Sequence, residues 1–118
     1  MILVDTSVWI DHFRNGNSAL KNLLRENNVV IHPFIIGELA CGTILNRTEI
    51  LRLLKELPKA FWADHDEVLH IVEDKYLFNT GIGWIDAHLI ASALLTRARI
   101  MTLDKRFSKV VATLHLNP

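Results

Sequence analysis

Short apolar runs alternate along the chain with longer segments in which apolar residues recur at helical spacing. Residues 1–4, 29–31 and 99–103 are apolar runs rich in β-branched side chains, and they predict buried strands. The longer segments predict helices, because their apolar residues repeat every three to four positions and because capping residues or proline precede them. These helices are expected at 7–14, from 18 onward, at 33–45, at 48–57, from 64 or 66 to 78, and at 84–97.

Two further segments, 60–62 and 110–114, are predicted as short strands, the second of them at a sheet edge, and 105–108 as a short turn or helix. Strands that alternate with helices are typical of a parallel sheet covered on both faces. The pattern therefore predicts an α/β fold of three layers (α/β/α) around a central parallel sheet of four to five short strands. A length of 118 residues suits one compact domain over residues 1–118.

Composition narrows the class of protein. Thirteen Lys and Arg balance thirteen Asp and Glu, which excludes a basic nucleic-acid-coating protein and an acidic disordered tail. The longest uncharged run has 11 residues, too short to span a bilayer, and no basic residue precedes Arg14 as a signal peptide would require. Cys41 is the only cysteine, so an intramolecular disulfide and a cysteine-based zinc site are excluded. We expect a soluble protein of the reducing cytoplasm.

Four acidic residues stand apart from other charges in apolar segments. Asp5 is the only charged residue among the first ten, and Glu38 and Asp86 each stand alone in an uncharged stretch of a predicted helix. Asp104 follows directly on the apolar strand at 100–103. Because an ionised carboxylate in an apolar setting costs free energy, hydrogen-bond donors or a cation must compensate each of them.

Topology brings these four acids together. Asp5 and Asp104 are expected at the C-terminal ends of parallel strands, and Glu38 and Asp86 in the early turns of helices. These positions meet at one edge of an α/β sheet, the edge where such sheets place their sites. Carboxylates that converge raise one another's pKa unless a cation joins them, and hard oxygen ligands suit magnesium or manganese rather than zinc. The pattern therefore predicts a divalent-metal site.

Each acid taken alone has a simpler structural interpretation. Asp5 or Asp104 could end a strand and cap a helix, and Asp86 could stabilise a helix N-terminus through the helix dipole. Glu38 could be a satisfied buried acid or could reach solvent at a helix edge. Four isolated acids at one predicted sheet edge are much harder to explain in this way, and the joint pattern favours the metal site.

Two other enzyme classes also place a functional group directly after a first strand. A haloacid-dehalogenase-like phosphatase needs a second aspartate two residues after the first, and Ser7 stands there. A phosphate-loop or dinucleotide-binding fold needs a glycine-rich loop after its first strand, and the sequence DTSV at 5–8 contains no glycine. Both classes are therefore excluded.

Four segments, in order, resemble the acidic motifs of PIN-domain ribonucleases. They are MILVDTSVW at 1–9, HPFIIGEL at 32–39, GIGWIDAHLIA at 81–91 and TLDKRF at 102–107. The resemblance covers essentially the whole chain, at the length of the VapC-type toxins of bacterial toxin–antitoxin pairs. No acidic position departs from the family pattern, so an active member of the family is expected.

The resemblance implies endonucleolytic cleavage of RNA with Mg²⁺ or Mn²⁺. Asp5, Glu38, Asp86 and Asp104 are then the catalytic metal ligands, direct or through water, while Thr6 and Thr102 correspond to hydroxyl positions that support the acids. The bound metal would activate a water for in-line attack on phosphorus, and the products would carry a 5′-phosphate and a 3′-hydroxyl.

The resemblance also implies partners. A VapB-like antitoxin and a homodimer are expected, with the leucine-rich helices between residues 18 and 57 as apolar surface for either. The alternative is a non-catalytic binding module that docks a basic partner peptide in the acidic crevice. Five cations against one acid give residues 97–109 a net charge of +4, which suits an approaching phosphodiester chain.

The other residues that could bind a metal, react or stack on a base are interpreted as structural. The six histidines lack metal-ligand spacing, although His12 and His32 are candidates to lie near the site. Cys41 is expected to pack as a small hydrophobic residue. The three tryptophans are expected in the core or at interfaces, and Trp84 gains interest because it directly precedes the Asp86 region.

Overall fold

The computed structural model describes residues 1–118 and contains three strands and seven helices. In chain order they are β1 (Ile2–Val4), α1 (Thr6–Asn15), α2 (Ser18–Arg25), β2 (Val29–Val30), α3 (Pro33–Cys41), α4 (Arg47–Glu56), α5 (His65–Asp74), α6 (Trp84–Thr96), β3 (Arg99–Met101) and α7 (Lys105–Thr113). The strands form one parallel sheet in the order β2-β1-β3. The predicted α/β fold with a central parallel sheet is therefore confirmed.

The predicted number of four to five strands is wrong, because the sheet has three. Residues 60–62 contribute no strand; the chain makes only an isolated bridge between Ile31 and Lys59, next to a hydrogen bond from the Ala60 N–H to the Ile31 carbonyl. Residues 110–114 are not an edge strand either. Val110 and Val111 belong to α7 and are buried together with Phe107, at the three- and four-residue spacing of a helix face.

The central strand β1 explains how the sheet is held. Its three residues are all buried, as expected for a parallel strand paired on both sides. Leu3 pairs with Val30 on one side and with Ile100 on the other, and all three belong to one core of 23 buried residues. Residues near the two ends of the chain are thus fixed beside each other by the sheet.

Local capping chemistry sets where the helices begin. His32 precedes Pro33 at the start of α3, and its Nδ1 accepts a hydrogen bond from the Phe34 N–H at 3.0 Å. Asp64 and Glu67 form a reciprocal capping box at the start of α5, each accepting from the backbone N–H of the other. No helix has the length and apolar run required to cross a bilayer.

Candidate active site

Four acidic side chains from four different elements line one open cavity of about 520 Å³. Asp5 directly follows β1, Glu38 lies within α3, Asp86 is in the first turn of α6, and Asp104 is the N-cap of α7. The structure thus brings together the four acids that the sequence singled out. They meet at the edge where the strands end and the helices begin.

Asp5 is the most firmly held of the four. It is 8% exposed, and its Oδ2 accepts hydrogen bonds from the Ser7 hydroxyl at 2.9 Å and the Thr102 hydroxyl at 2.8 Å. It also precedes α1, but its side chain makes no capping hydrogen bond. Because both donors bind the same oxygen, Oδ1 has no partner within the chain and is available to a ligand.

Backbone groups fix the direction of these hydrogen bonds. The Leu103 N–H donates to the Ser7 oxygen at 3.0 Å, and the Asp104 N–H donates to the Thr102 oxygen at 3.1 Å. Each hydroxyl oxygen therefore accepts from the backbone and points its single proton at Asp5. Hydrogen bonds that run from backbone to hydroxyl to carboxylate therefore fix the position of the Asp5 side chain.

Ser7 is the site residue that sequence reasoning missed. The sequence analysis names it only as the residue that stands where a phosphatase would need a second aspartate, whereas its side chain bridges Asp5 and the backbone after β3. The available signal was the pair of hydroxyls at 6 and 7 directly after Asp5, since one turn of helix can return one of them to the carboxylate. Thr102, which the resemblance indicated, does bind Asp5.

The other hydroxyl indicated by the resemblance supports a different acid. Thr6 donates to Oε1 of Glu38 at 3.0 Å, which ties the start of α1 to the middle of α3. Glu38 is exposed, and its Oε2 accepts no hydrogen bond from the chain. The two hydroxyls Thr6 and Ser7 thus serve one acid each.

Asp86 and Asp104 each use one oxygen at the start of a helix. Asp104 Oδ1 accepts from the Phe107 N–H at 2.9 Å, and Asp86 Oδ2 accepts from the Gly83 N–H at 3.3 Å. One oxygen of each acid therefore does stabilise the start of a helix, as the structural interpretation expects. Their second oxygens have no partner in the chain, so capping does not account for the whole carboxylate.

The electrostatics of the cavity are unbalanced. Burial raises the pKa of Asp86, the Gly83 N–H opposes that shift, and the charges of Asp5, Asp104 and Glu38 raise the pKa further. None of the four acids forms an ion pair with Lys, Arg or His. The cavity thus concentrates negative charge that the chain itself does not neutralise.

The donor set fits a hard divalent cation by its chemistry. Each of the four acids has one oxygen without a partner in the chain, and carboxylate oxygens are what Mg²⁺ and Mn²⁺ prefer. No three Asp, Glu, His or Cys side chains already stand around one point as ligands. Glu38 and Asp104 are exposed, so their carboxylates are open to solvent.

Positive charge lies beside the acids. Lys105 and Arg106 line a neighbouring cavity together with Asp86 and Asp104. The Arg106 side chain lies directly against Gly81, whose φ of +85° suits glycine, and a Cβ at this position would collide with the arginine. An acidic cavity with a basic rim is the arrangement expected where a phosphodiester meets metal ions.

The remaining candidates lie away from the acids. His12 and His32 do not line the acid cavity; His12 accepts the Asn17 N–H at the end of α1, and His32 is fully buried. The expectation that Cys41 packs as a small hydrophobic residue is wrong, because it is the last residue of α3 and is exposed.

Comparison with known families gives one match over nearly the whole chain. The family model described as "PIN domain" matches residues 2–112, a span that includes all four acids.

Two curated relatives are similar over almost their entire length. Both are named Ribonuclease VapC32, from Mycobacterium tuberculosis strains CDC 1551 and H37Rv. Each is 44% identical over 113 residues, which is 95% of this chain and 91% of the relative.

Proposed function

The chain belongs to the PIN-domain family, and on that premise we propose that it is a metal-dependent endoribonuclease acting as the toxin of a toxin–antitoxin pair. The observation that carries the proposal is the set of four acids, without ion pairs, in one cavity. The name Ribonuclease VapC32 of its relatives supports the same activity. We further propose that residues 1–118 act as one domain in the cytoplasm.

Asp5, Glu38, Asp86 and Asp104 would hold Mg²⁺ or Mn²⁺. When bound, the metal would lower the pKa of a water and offset the charge that develops on the phosphate and the leaving oxygen. Ser7 and Thr102 hold Oδ2 of Asp5, which leaves Oδ1 available as a ligand. Glu38 is exposed, and Thr6 holds its Oε1 while Oε2 is left for a ligand.

The proposed reaction is hydrolysis with inversion at phosphorus. A water adds to the phosphorus, the bond from phosphorus to the 3′-oxygen breaks, and that oxygen takes up a proton. The products carry a 5′-phosphate and a 3′-hydroxyl, so no side chain has to act as a nucleophile. Lys105 and Arg106, on the rim beside the acids, would contact the phosphates that flank the cleaved bond.

A partner peptide has a suitable surface next to the same acids. A cavity of about 300 Å³ between α1 and the loop after α3 is lined by apolar residues that include Ile10, Phe13 and Leu39, and Glu38 lies at its border. A VapB-like antitoxin segment could place hydrophobic side chains there and a basic side chain on the acids. This surface also favours the second candidate function, a binding module without catalysis. The homodimer stays a prediction.

The two candidates differ in what the purified, partner-free protein does to RNA. We would incubate it with total bacterial RNA in Mg²⁺, in Mn²⁺ or in chelator, and then sequence the RNA 5′ ends. The proposal expects new 5′-phosphate ends at discrete sites in either metal and none in chelator. Tight binding of a basic peptide with no metal-dependent cleavage would instead identify a binding module.

A further inference from the structure

A second cavity, of about 490 Å³, lies beside the acid cavity and is lined mostly by aromatic and histidine side chains. We call it the aromatic pocket. Trp84 lines both cavities, so the two share a wall. The side chains that line the aromatic pocket are Phe34, Trp62, Asp64, His65, Trp84 and His88, with Ala63 buried at its base.

The same two helices supply both cavities. Helix α3 carries Phe34 into the aromatic pocket and Glu38, one turn later, into the acid cavity. Helix α6 carries Asp86 into the acid cavity and His88 into the aromatic pocket. A chain molecule held at the four acids can therefore reach the aromatic pocket.

The rings of the pocket are packed edge to face. Trp84 and His88 have ring centroids 4.9 Å apart at an interplanar angle of 88°, and Phe34 lies 4.7 Å from His88 at 61°. Trp62 meets Phe34 at 6.2 Å and 77°. Edge-to-face packing fixes each ring without covering both of its faces, and Trp62 remains 63% exposed and Trp84 39% exposed. The pocket thus presents rigid aromatic faces to solvent.

The polar groups of the aromatic pocket determine which ligands it can bind. Asp64 is the only Asp, Glu, Lys or Arg that lines it, and one carboxylate oxygen is occupied by the Glu67 N–H. His88 is 5% exposed, and its buried Nδ1 has no hydrogen-bond partner. Besides two histidines, the pocket has one carboxylate and no lysine or arginine, so it favours a hydrogen-bond donor such as an amino group over a phosphate.

His32 supports the pocket from behind. It is fully buried, and its ring lies 5.0 Å from Phe34 and 6.3 Å from His88. Because its Nδ1 accepts the Phe34 N–H, this nitrogen carries no proton, and the ring is neutral. The wall beneath the aromatic rings is therefore uncharged and fixed to the first turn of α3.

We propose that the aromatic pocket binds an unpaired base of single-stranded RNA, one that bears an amino group, beside the phosphodiester held at the four acids. The proposal rests on the proposed function for the phosphodiester, and it adds the part of the RNA that is recognised. Stacking on Trp84 or Trp62 uses the faces of the base, and the free oxygen of Asp64 accepts from its amino group. An aliphatic side chain of a protein partner would leave Asp64 without a donor, which is why we favour a base.

Binding can be measured without cleavage, by fluorescence anisotropy in chelator, with fluorescein-labelled oligocytidylate and oligouridylate of about eight nucleotides. Cytosine has the amino group and uracil lacks it. We expect oligocytidylate to bind more tightly, and Trp62→Leu and Trp84→Leu each to weaken its binding at least about fivefold. The matched control is Tyr76→Leu, an exposed aromatic residue outside the pocket, which should leave the affinity unchanged.

A second pair of variants tests the carboxylate without disturbing the helix. Asp64→Asn keeps an oxygen that can cap α5 but removes the charge, so the preference for oligocytidylate over oligouridylate should disappear. Asp66→Asn changes a neighbouring acid that does not line the pocket and should preserve the preference.

Three results would overturn the inference. The first is that the tryptophan variants bind oligocytidylate as tightly as Tyr76→Leu does. The second is that Asp64→Asn still prefers oligocytidylate to oligouridylate. The third is that the tryptophan variants dissociate a dimer in sedimentation while their affinity for RNA stays constant. The last would assign the pocket to contact between two copies of the chain. Because the assay contains chelator, failure of metal-dependent cleavage would contradict the proposed function and leave this measurement intact.

Discussion

Two groups of acids in this molecule differ in whether basic residues pair with them. On α4, Glu49 and Glu56 both bind Arg52, at 2.7 Å and 2.8 Å, and the hydrogen bond and charge of Arg52 lower the pKa of Glu49. In the acid cavity no cation accompanies the carboxylates, and burial with like charges raises the pKa of Asp86. Arg52 pairs with both acids of α4, whereas no residue of the chain forms an ion pair with the acids of the cavity.

The origin of the difference lies in chain position. Spacings of three and four residues on one helix let Arg52 reach both of its acids from a single element. The four cavity acids come from four separate elements and face one another instead. A surface pair of the first kind contributes little to stability, whereas the second arrangement costs stability and is expected only where a ligand recovers it.

The largest effect should follow from removing the charge of Asp5. Because metal ligation needs an anionic oxygen, Asp5→Asn should reduce metal-dependent RNA cleavage by at least about 100-fold, more than the loss of a ligand's hydrogen-bond partner usually costs. The assay is the initial rate of cleavage of a sequenced target RNA. Asp11→Asn on α1, outside the cavity, is the matched control and should cleave at the wild-type rate. An active, magnesium-dependent Asp5→Asn protein would remove Asp5 from the proposed site.

A smaller loss should follow when the donors to Asp5 are removed. Ser7→Ala and Thr102→Val should each reduce cleavage roughly 10- to 100-fold, because the carboxylate loses a partner that orients it. The double variant should lose less than the product of the two single losses, since both hydroxyls act on the same oxygen. Thr113→Val removes an exposed hydroxyl on α7 and serves as the control. Independent, multiplicative losses would contradict the shared role.

Thermal stability should show the cost of the unpaired charges in the acid cavity. In chelator, Asp86→Asn should melt at or above the temperature of the wild type, because it relieves repulsion and keeps an acceptor for the Gly83 N–H. Magnesium at about 100 times its Kd should stabilise the wild type by about 2.7 kcal/mol and the variant much less. Equal magnesium shifts for both proteins would exclude Asp86 from the site.

The difference in stability between Asp86→Asn and the wild type should also depend on pH. A carboxyl whose pKa is raised by folding binds protons more readily in the folded state than in the unfolded state, where the value is near 3.8. The destabilisation is therefore complete above the raised pKa and disappears as the pH falls to about 3.8 and below. In chelator, the advantage of Asp86→Asn over wild type should shrink as the pH is lowered from 7 toward 4, as measured by chemical denaturation.

The smallest effect is expected on α4. Arg52→Gln removes both ion pairs, but all three side chains are largely exposed, so stability should fall only slightly and the drop should vanish at high salt. Cleavage should be unchanged. A large, salt-resistant loss of stability would mean that the α4 ion pairs carry more of the fold than surface pairs usually do.

Much of the fold could be predicted because the core strands and long helices have unambiguous patterns. Met1–Val4 and the run before Asp104 are apolar and bounded by acids, and they became β1 and β3. The segment at 110–114 was misassigned because a short apolar run looks like a strand. Its partner Phe107, three residues before Val110, shows the helical period only when the window is extended upstream.

The four acids could be located from sequence because isolated charges in apolar segments are visible there. Their hydrogen-bond partners could be located only in part: the resemblance indicates Thr6 and Thr102, but which acid each one binds, and the role of Ser7, depend on the tertiary structure and on the pairing of β1 with β3. The aromatic pocket was also out of reach. Phe34, Trp62 and Trp84 are spread over 50 residues, and nothing in their spacing places them around one cavity.

The hydrogen bond from Thr102 to Asp5 joins residues 97 positions apart, so the site can form only after most of the chain has been synthesised. Synthesis proceeds from the N-terminus, so Asp5 leaves the ribosome long before β3, Thr102 and Asp104. Pairing across so long a loop is also among the slower steps of folding. A nascent chain therefore holds Asp5 and Glu38 before it holds the complete set of acids, and the cavity cannot assemble until β3 and Asp104 have left the ribosome.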